Sequence, residues 1–234
     1  MIPIKTESAW RGTSDCRNCG IRDMVLFADL NEQDFQSIHA PIDDLEYRTH
    51  ETIYSEGSHA QGIYTLRKGM IKLVRSTSDG RQRIVRVLRP GDIAGLEALA
   101  TSRLDSEAIA LTEVAVCRIP LEVIHTLGAN SPRLHGRLME KWHNALKAAD
   151  DWLAELNFGS AHQRVCGLAL KMRQQEDGQV TTLFSREDMG AMLDLKLETV
   201  SREISALVRQ KILTSLDRQG RRYRIDNLDA LLNA

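Results

Sequence analysis

The chain has 234 residues, enough for two modest domains, and its 42 % hydrophobic and 27 % charged residues are ordinary for a soluble globular protein. No apolar run reaches the length of a membrane span, and residues 1–12 lack the apolar core of a secretory signal, so we expect a cytoplasmic protein without membrane contact. The net charge is −1, but residues 196–224 hold 8 basic and 3 acidic side chains, a local balance of +5 that suits phosphate contact. A solvated face would have the same charge, so charge alone does not establish DNA binding.

The first 25 or so residues are polar and contain Cys16 and Cys19, which two residues separate. Asn31 is a suitable cap for a short helix over residues 31–38. In a cytoplasmic chain, cysteines are more often thiols, metal ligands or redox centres than structural disulfides. Cys117 falls in a predicted strand, and Cys166 lies on an apolar helix face, where we interpret it as a core thiol.

Between about residues 45 and 120, short apolar runs alternate with turn residues. The runs predict strands, and Asp79-Gly80 predicts a hairpin between two of them. Strands at this spacing, without long helices between them, indicate a sandwich or small barrel such as a jelly roll. The clearest predicted strands cover residues 62–66, 70–74, 83–88 and 113–119.

A long helix is predicted next, beginning at Ser131-Pro132 as N-cap and first-turn proline. Mostly apolar residues then recur in alternating steps of four and three, which is a heptad seam typical of a coiled-coil dimer. An intramolecular core helix is the alternative. The seam comprises His135, Met139, Trp142, Leu146, Ala149, Leu153 and Leu156, and all of these except His135 are predicted dimerisation residues. Residues 157–160 are interpreted as a hinge.

The C-terminal part predicts a winged helix-turn-helix. A helix over residues 161–174 and a strand over 180–183 precede Ser185 and Asp188, which have the spacing of a capping box. A helix, a turn over residues 194–197 and a second helix from Glu198 follow, and residues 216–222 form the turn of a basic wing. We predict that the second helix buries Val200, Ile204, Leu207 and Val208.

The exposed face of that second helix carries the chemistry of base recognition. Arg202 can bond guanine O6 and N7 together, and Glu198 can accept from cytosine N4. Ser201 and the arginines of the wing are better suited to phosphates, which position a protein without specifying sequence. A surface helix with ordinary charges is the alternative. The predicted DNA-binding residues are Ser185, Lys196, Glu198, Thr199, Ser201, Arg202, Arg218, Arg221 and Arg222.

Glu198-Thr-Val-Ser-Arg202 resembles the recognition-helix signature of the Crp/Fnr superfamily of transcription regulators, and the resemblance extends over nearly the whole chain. Pro90-Gly-Asp-Ile-Ala-Gly95 is similar to the family's barrel motif, and the long helix stands where its dimerisation helix belongs. The resemblance implies an α+β fold. Residues 1–130 would form a cyclic-nucleotide-binding-like jelly roll preceded by the cysteine pair, 131–158 the dimerisation helix and hinge, and 159–234 the winged helix-turn-helix.

The same resemblance implies a partner and a reading mode. In the oxygen-sensing branch, the fumarate-nitrate reduction regulators, this pattern reads a half-site resembling TTGA in an inverted repeat. Carried onto this chain, Glu198, Ser201 and Arg202 would be the readers. The implied partners are double-stranded DNA, a second copy of the chain and RNA polymerase.

The signal is less clear from the sequence. Cyclic-nucleotide binders of the family carry Gly-Glu and Arg-Ser pairs, whereas this chain has Leu96 and Asp105-Ser106 there, so we do not expect cyclic AMP. Only Glu97 and Arg103 could substitute for the glutamate and the arginine of these pairs. Cys16, Cys19 and Cys117 look like three of the four iron-sulfur ligands of the oxygen-sensing branch. The positions expected to hold another cysteine are Val25 and Phe27.

A [4Fe-4S] cluster normally requires four thiolates. The fourth ligand could come from Asp23, a histidine, water or a small molecule. The alternatives to a cluster are a Cys16–Cys19 redox pair, a zinc site, and thiols without a sensing role. Whether the predicted regulator responds to oxygen or to redox state therefore stays open at the level of the sequence.

Two other classes of function are weaker interpretations of the sequence. An enzyme is not expected, because the chain lacks nucleotide-binding and hydrolase motifs, and its seven histidines have no catalytic or metal spacing. A regulatory module that binds a cyclic nucleotide or another small ligand, without cluster chemistry or DNA contact, is the second alternative. The basic wing and the departures at Leu96 and Asp105 argue against it.

Overall fold

The computed structural model describes residues 26–28, 42–78, 80–174 and 177–233. Cys16, Cys19 and Asp23, together with the predicted helix over residues 31–38, lie outside these ranges. The chain divides into two compact units, residues 1–75 with 85–148 and residues 76–84 with 149–234.

The first unit is built on two antiparallel sheets of four strands each. One sheet has the strand order β1-β8-β3-β6 and the other β2-β7-β4-β5, which is the arrangement of a jelly roll. A short 3-10 helix, Leu96–Leu99, follows β6. The strands are β1 Asp43–Tyr47, β2 Thr52–Tyr54, β3 Gly62–Lys68, β4 Ile71–Ser76, β5 Gln82–Leu88, β6 Ile93–Ala94, β7 Glu107–Ala110 and β8 Val114–Pro120.

The core of this unit follows from strand register. Val116 of β8 lies opposite Leu66 of β3 on one side and Leu45 of β1 on the other, so these three side chains share one face of the sheet. Leu66 and Val116 are fully buried. The predicted jelly roll is confirmed, and the four predicted strands appear as β3, β4, β5 and β8 with ends that shift by no more than two residues.

Two helices follow the barrel strands. Helix α1, Leu121–Asn130, packs against β8 and was not predicted from the sequence. Helix α2, Pro132–Leu156, begins at the predicted proline, and the Ser131 hydroxyl accepts from the Leu134 N–H at 3.5 Å. Leu134 and Leu138 near its start belong to the barrel core. Among the described residues, no helix is both long and apolar enough to cross a membrane.

The second unit has the parts of a winged helix-turn-helix. Its short sheet has the order β10-β11-β9, and its buried residues include Val165, Leu168, Met189 and Leu193. The predicted helix 161–174 ends earlier, at Lys171, and a last helix, α6, was not predicted. The elements are α3 Ala161–Lys171, β9 Val180–Thr182, α4 Arg186–Leu193, α5 Leu197–Arg209, β10 Leu213–Ser215, β11 Arg222–Ile225 and α6 Leu228–Leu232.

Candidate nucleic-acid interface

Helix α4, the first helix of the motif, begins with a well-defined cap. The Ser185 hydroxyl accepts from the Asp188 N–H at 3.0 Å and donates to the Asp188 carboxylate at 2.8 Å. Asp188 is buried and lies in the first turn of the helix, where the helix dipole favours negative charge. The hydroxyl of Ser185, a predicted DNA-binding residue, is therefore used in fixing the start of α4.

The turn between α4 and α5 depends on close backbone contact. Asp194 ends α4 in the left-handed conformation, with φ of 54°, and the Leu195 N–H returns to the Gly190 carbonyl at 3.1 Å. A Cβ at position 190 would come within 2.7 Å of the Leu195 carbonyl oxygen. Glycine at this position lets the turn fold back tightly onto α4, which fixes the direction in which α5 leaves.

Helix α5, the candidate recognition helix, separates an apolar face from a polar one. Val200, Ile204 and Leu207 are buried against the rest of the unit. Val208, predicted to be buried, is instead 39 % exposed, because it lies beyond the edge of this apolar stripe. The helix begins at Leu197, one residue before the prediction, with Lys196 as its exposed N-cap residue.

The predicted base readers lie at the start of α5. Glu198 and Arg202 are exposed one helical turn apart, and Thr199 and Ser201 are partly exposed. The Arg202 side chain is 72 % exposed, which leaves its guanidinium accessible to a ligand. Glutamate and arginine at this position and spacing can bond base edges in the major groove.

The wing is a short hairpin held by Asp217. Its carboxylate accepts the backbone N–H groups of Arg221 at 2.9 Å and Arg222 at 2.8 Å, and these bonds hold the Asp217 pKa below its usual value. Arg218 and Arg222 are exposed, and Arg221 is partly exposed. The loop therefore presents three guanidinium groups on an ordered turn, a suitable surface for phosphates.

Arg186 was not singled out in the sequence, yet it joins α4 to the wing. Its guanidinium donates to the hydroxyl of the buried Tyr223 in β11 at 2.7 Å and lies 6.0 Å from the centroid of that ring. The two residues are 37 positions apart, so no local pattern indicates the contact.

Helix α2 carries an exposed apolar stripe. Met139, Leu146 and Leu153, at intervals of seven, are 50 %, 64 % and 56 % exposed. Trp142 and Ala149, two other predicted seam residues, are partly exposed. Leu156 differs, because it is fully buried within the chain and lies near Gly167, so it is not part of the exposed stripe.

In the barrel, the residues at the family's ligand-binding positions make internal contacts. Leu96 is buried, and the exposed Asp105 donates its backbone N–H to the Glu97 carboxylate at 3.3 Å. The Arg103 guanidinium donates to the Gly57 carbonyl at 2.7 Å. Both candidate substitutes for the missing residues, Glu97 and Arg103, are thus engaged within the chain.

Cys117 and Cys166, the cysteines within the described ranges, make separate contacts. Cys117 in β8 donates to the Asp44 carboxylate at 3.3 Å, and Asp44 also pairs with Arg67. Cys166 in α3 is buried, and desolvation together with the nearby Glu203 carboxylate raises its pKa to about 11. Within the described ranges, no group of three His, Cys, Asp or Glu side chains is placed to hold a metal ion.

The chain matches two family models. A cyclic nucleotide-binding domain matches residues 44–131, and a Crp-like helix-turn-helix domain matches residues 163–234. The first covers the barrel strands with α1, and the second covers the DNA-binding motif described above.

Curated relatives and solved structures agree with these matches. The anaerobic regulatory protein of Pasteurella multocida is 25 % identical, over 93 % of this chain and 81 % of its own. The fumarate and nitrate reduction regulatory protein of Escherichia coli is 26 % identical, over 92 % of this chain and 88 % of its own. FixK2 from Bradyrhizobium japonicum matches with a TM-score of 0.73 and 27 % identity, over 83 % and 97 % of the two chains. The chain therefore belongs to the Crp/Fnr family of transcription regulators, with a DNA-binding helix-turn-helix domain, and is not an enzyme.

Proposed function

We propose that the protein binds an inverted-repeat operator as a homodimer and reads each half-site with helix α5. The observation that carries this proposal is the polar face at the start of α5, where Glu198 and Arg202 are exposed between a capped first helix and a basic wing. A two-fold dimer presents two such helices about one DNA turn apart, which requires a palindromic site.

The roles divide by chemistry. Arg202 reads guanine and Glu198 accepts from cytosine, with Thr199 and Ser201 beside them. Lys196 and the wing residues Arg218, Arg221 and Arg222 contact phosphates, together with the N-terminal end of α4 at Ser185. The half-site resembles TTGA. The protein acts in the cytoplasm, where the DNA is, and contacts RNA polymerase at promoters.

The dimer interface is the exposed stripe of α2. Met139, Leu146 and Leu153 would leave a row of apolar side chains in water in a monomer, whereas a twin helix covers them. Trp142 and Ala149 flank the row. The division into a sensory barrel (1–130), a dimerisation helix with hinge (131–158) and a DNA-binding domain (159–234) assigns one part to each task.

The test is fluorescence anisotropy with a labelled duplex carrying two inverted TTGA half-sites and with a scrambled duplex, over a series of salt concentrations. We expect binding to weaken steeply with salt on both duplexes, and the palindrome to be preferred by at least about a thousandfold. Equal affinity for both duplexes would contradict sequence-specific regulation. No binding to either would favour the alternative, a small-ligand regulatory module.

An iron-sulfur cluster is a second proposal, which concerns the signal. The names of the relatives, anaerobic regulation and fumarate and nitrate reduction, favour it. Cys166 is buried and bonded inside its own unit, so at most three thiolates remain, from Cys16, Cys19 and Cys117. This does not fit a cluster held by four cysteines, and we derive no regulatory step from one.

Anaerobic purification with iron and sulfide assays, a visible spectrum, and operator binding before and after air decides the question. Bound iron and sulfide, with DNA binding lost in air, would support a cluster with a fourth ligand other than cysteine. A colourless protein that binds the operator equally well in both conditions would exclude it.

A further inference from the structure

Glu203 follows the predicted base reader Arg202 in α5, and its environment is unusual for a glutamate on a DNA-facing helix. Only 17 % of its side chain is exposed. A carboxylate that has lost most of its water needs polar partners, because an unpaired buried charge is costly. Glu203 has two such partners, one on each oxygen.

The first partner comes from another helix. His162 of α3 places Nδ1 3.2 Å from Glu203 Oε2, and α3 packs against α5. The other ring nitrogen, Nε2, lies 3.7 Å from Cys166 Sγ. With its proton on Nδ1, His162 donates to the Glu203 carboxylate, and Nε2 can then accept from the Cys166 thiol.

The second partner is the base reader. Arg202 Nε lies 3.6 Å from Glu203 Oε1, an ion pair rather than a hydrogen bond. Adjacent residues on a helix do not face each other, so this contact draws the Arg202 side chain toward Glu203. It uses Nε and leaves both terminal amino groups of the guanidinium for the O6 and N7 atoms of guanine.

We propose that His162 and Glu203 are positioning residues for base reading: His162 holds the Glu203 carboxylate, which in turn orients the Arg202 guanidinium toward a half-site guanine. This inference rests on the proposed function, because it requires Arg202 to contact a base. Neither His162 nor Glu203 touches DNA in this arrangement. They restrict the conformations of the free Arg202 side chain, so that less conformational entropy is lost when it binds guanine.

The experiment measures discrimination, defined as the Kd for an operator with adenine in place of the half-site guanine divided by the Kd for the intact operator. We expect Glu203→Gln and His162→Ala to lower this ratio about fivefold, the effect of losing one partly exposed charged contact. Affinity for scrambled duplex should stay near the parent value, whereas the melting temperature of His162→Ala should fall, because the mostly buried Glu203 carboxylate loses a partner there. His162→Gln retains an N–H donor and should recover most of the discrimination.

A double variant and a matched control complete the test. If His162 acts through Glu203, adding His162→Ala to Glu203→Gln causes no further loss. Glu155→Gln, which breaks the Lys171–Glu155 ion pair of the same unit, should leave discrimination unchanged. Additive losses, an equal loss with Glu155→Gln, or no loss with either single variant would overturn the proposal.

The Arg202→Ala variant distinguishes a failure of the positioning role from a failure of the proposed base-reading role of Arg202. If Arg202→Ala abolishes discrimination while the Glu203 and His162 variants retain it, only the positioning role is wrong. If Arg202→Ala itself retains discrimination, the assignment of the base reader fails.

Discussion

The guanidinium of Arg186 donates to the hydroxyl of Tyr223 at 2.7 Å, and this bond connects the first helix of the DNA-binding motif to the wing. The Tyr223 ring is buried, so its hydroxyl has little access to water as a replacement partner. The contact therefore fixes the wing arginines relative to the helix pair that carries the predicted base readers.

Removing that bond should destabilise the DNA-binding unit. Tyr223→Phe keeps the packed ring and deletes the acceptor, so we expect a loss of about 1 kcal/mol in the free energy of unfolding. Denaturant unfolding followed by circular dichroism measures it. Tyr47→Phe, the same change in a strand of the barrel, should leave the transition of the DNA-binding unit in place. An unchanged transition in Tyr223→Phe would show that the bond contributes nothing.

Arg202→Ala tests the base reader directly. Because an arginine bonded to guanine O6 and N7 discriminates between base pairs, we expect specific affinity to fall by roughly 1–3 kcal/mol. Affinity for scrambled DNA should hardly change, whereas Arg222→Ala on the wing should weaken binding to both duplexes and flatten the salt dependence. Anisotropy titrations on single-base operator variants measure both effects. Base preference that survives in Arg202→Ala would move the reading role elsewhere.

The exposed stripe of α2 predicts a dimer that one charge can break. Leu146→Asp places a carboxylate at the centre of the stripe, and burying it against a twin helix is costly, so sedimentation velocity should show a monomer. The matched control is Asn144→Asp, because position 144 is exposed and lies about 160° around the helix from Leu146. If both variants remain dimeric, the interface lies elsewhere.

Cys166 should resist alkylation in the folded protein. Burial and the Glu203 carboxylate raise its pKa to about 11, so at pH 8 only about one molecule in a thousand carries the reactive thiolate. Iodoacetamide labelling of the Cys166 peptide, followed by mass spectrometry, should be at least about a hundredfold slower than in the urea-unfolded chain. Equal rates would show that the thiol is not buried.

The same shift has a consequence for stability. Because folding raises the pKa of Cys166, the contribution of this thiol to the free energy of unfolding is fully present below its unfolded pKa of about 8.5. That contribution is lost as the pH rises toward 11. A Cys166→Ser variant should therefore show a smaller fall in melting temperature between pH 8 and 10.5 than the parent protein does.

Cyclic AMP should neither bind the barrel nor change operator affinity. Asp105 occupies the position where a phosphate-binding arginine is expected, and the Arg103 guanidinium is bonded to the Gly57 carbonyl. Calorimetric titration with cyclic AMP up to roughly 1 mM should give no binding heat. Binding at micromolar concentration, with or without an effect on DNA affinity, would instead favour the cyclic-nucleotide module.

Much of the architecture could be predicted because its signals are local. Strand runs punctuated by glycine predict the barrel, and the proline at 132 marks the first residue of α2. Helix α1 was missed, because it follows Pro120 at the end of β8 directly and has no side-chain cap to mark its start. The basic wing and the exposed face at the start of α5, with Glu198 and Arg202, could be predicted because each depends on a turn or a helical face within a few residues.

Other features depend on which elements pack together, and no local period encodes that. The heptad pattern places Leu153 and Leu156 on one seam, yet Leu153 faces solvent and Leu156 is buried within the chain. His162 reaches Glu203 across 41 positions because α3 packs on α5. Most of the helices and strands, and the chemistry that each one carries, can thus be predicted from local sequence. Which side chains meet depends on packing, because contacts between helices follow from their relative placement rather than from spacing along the chain.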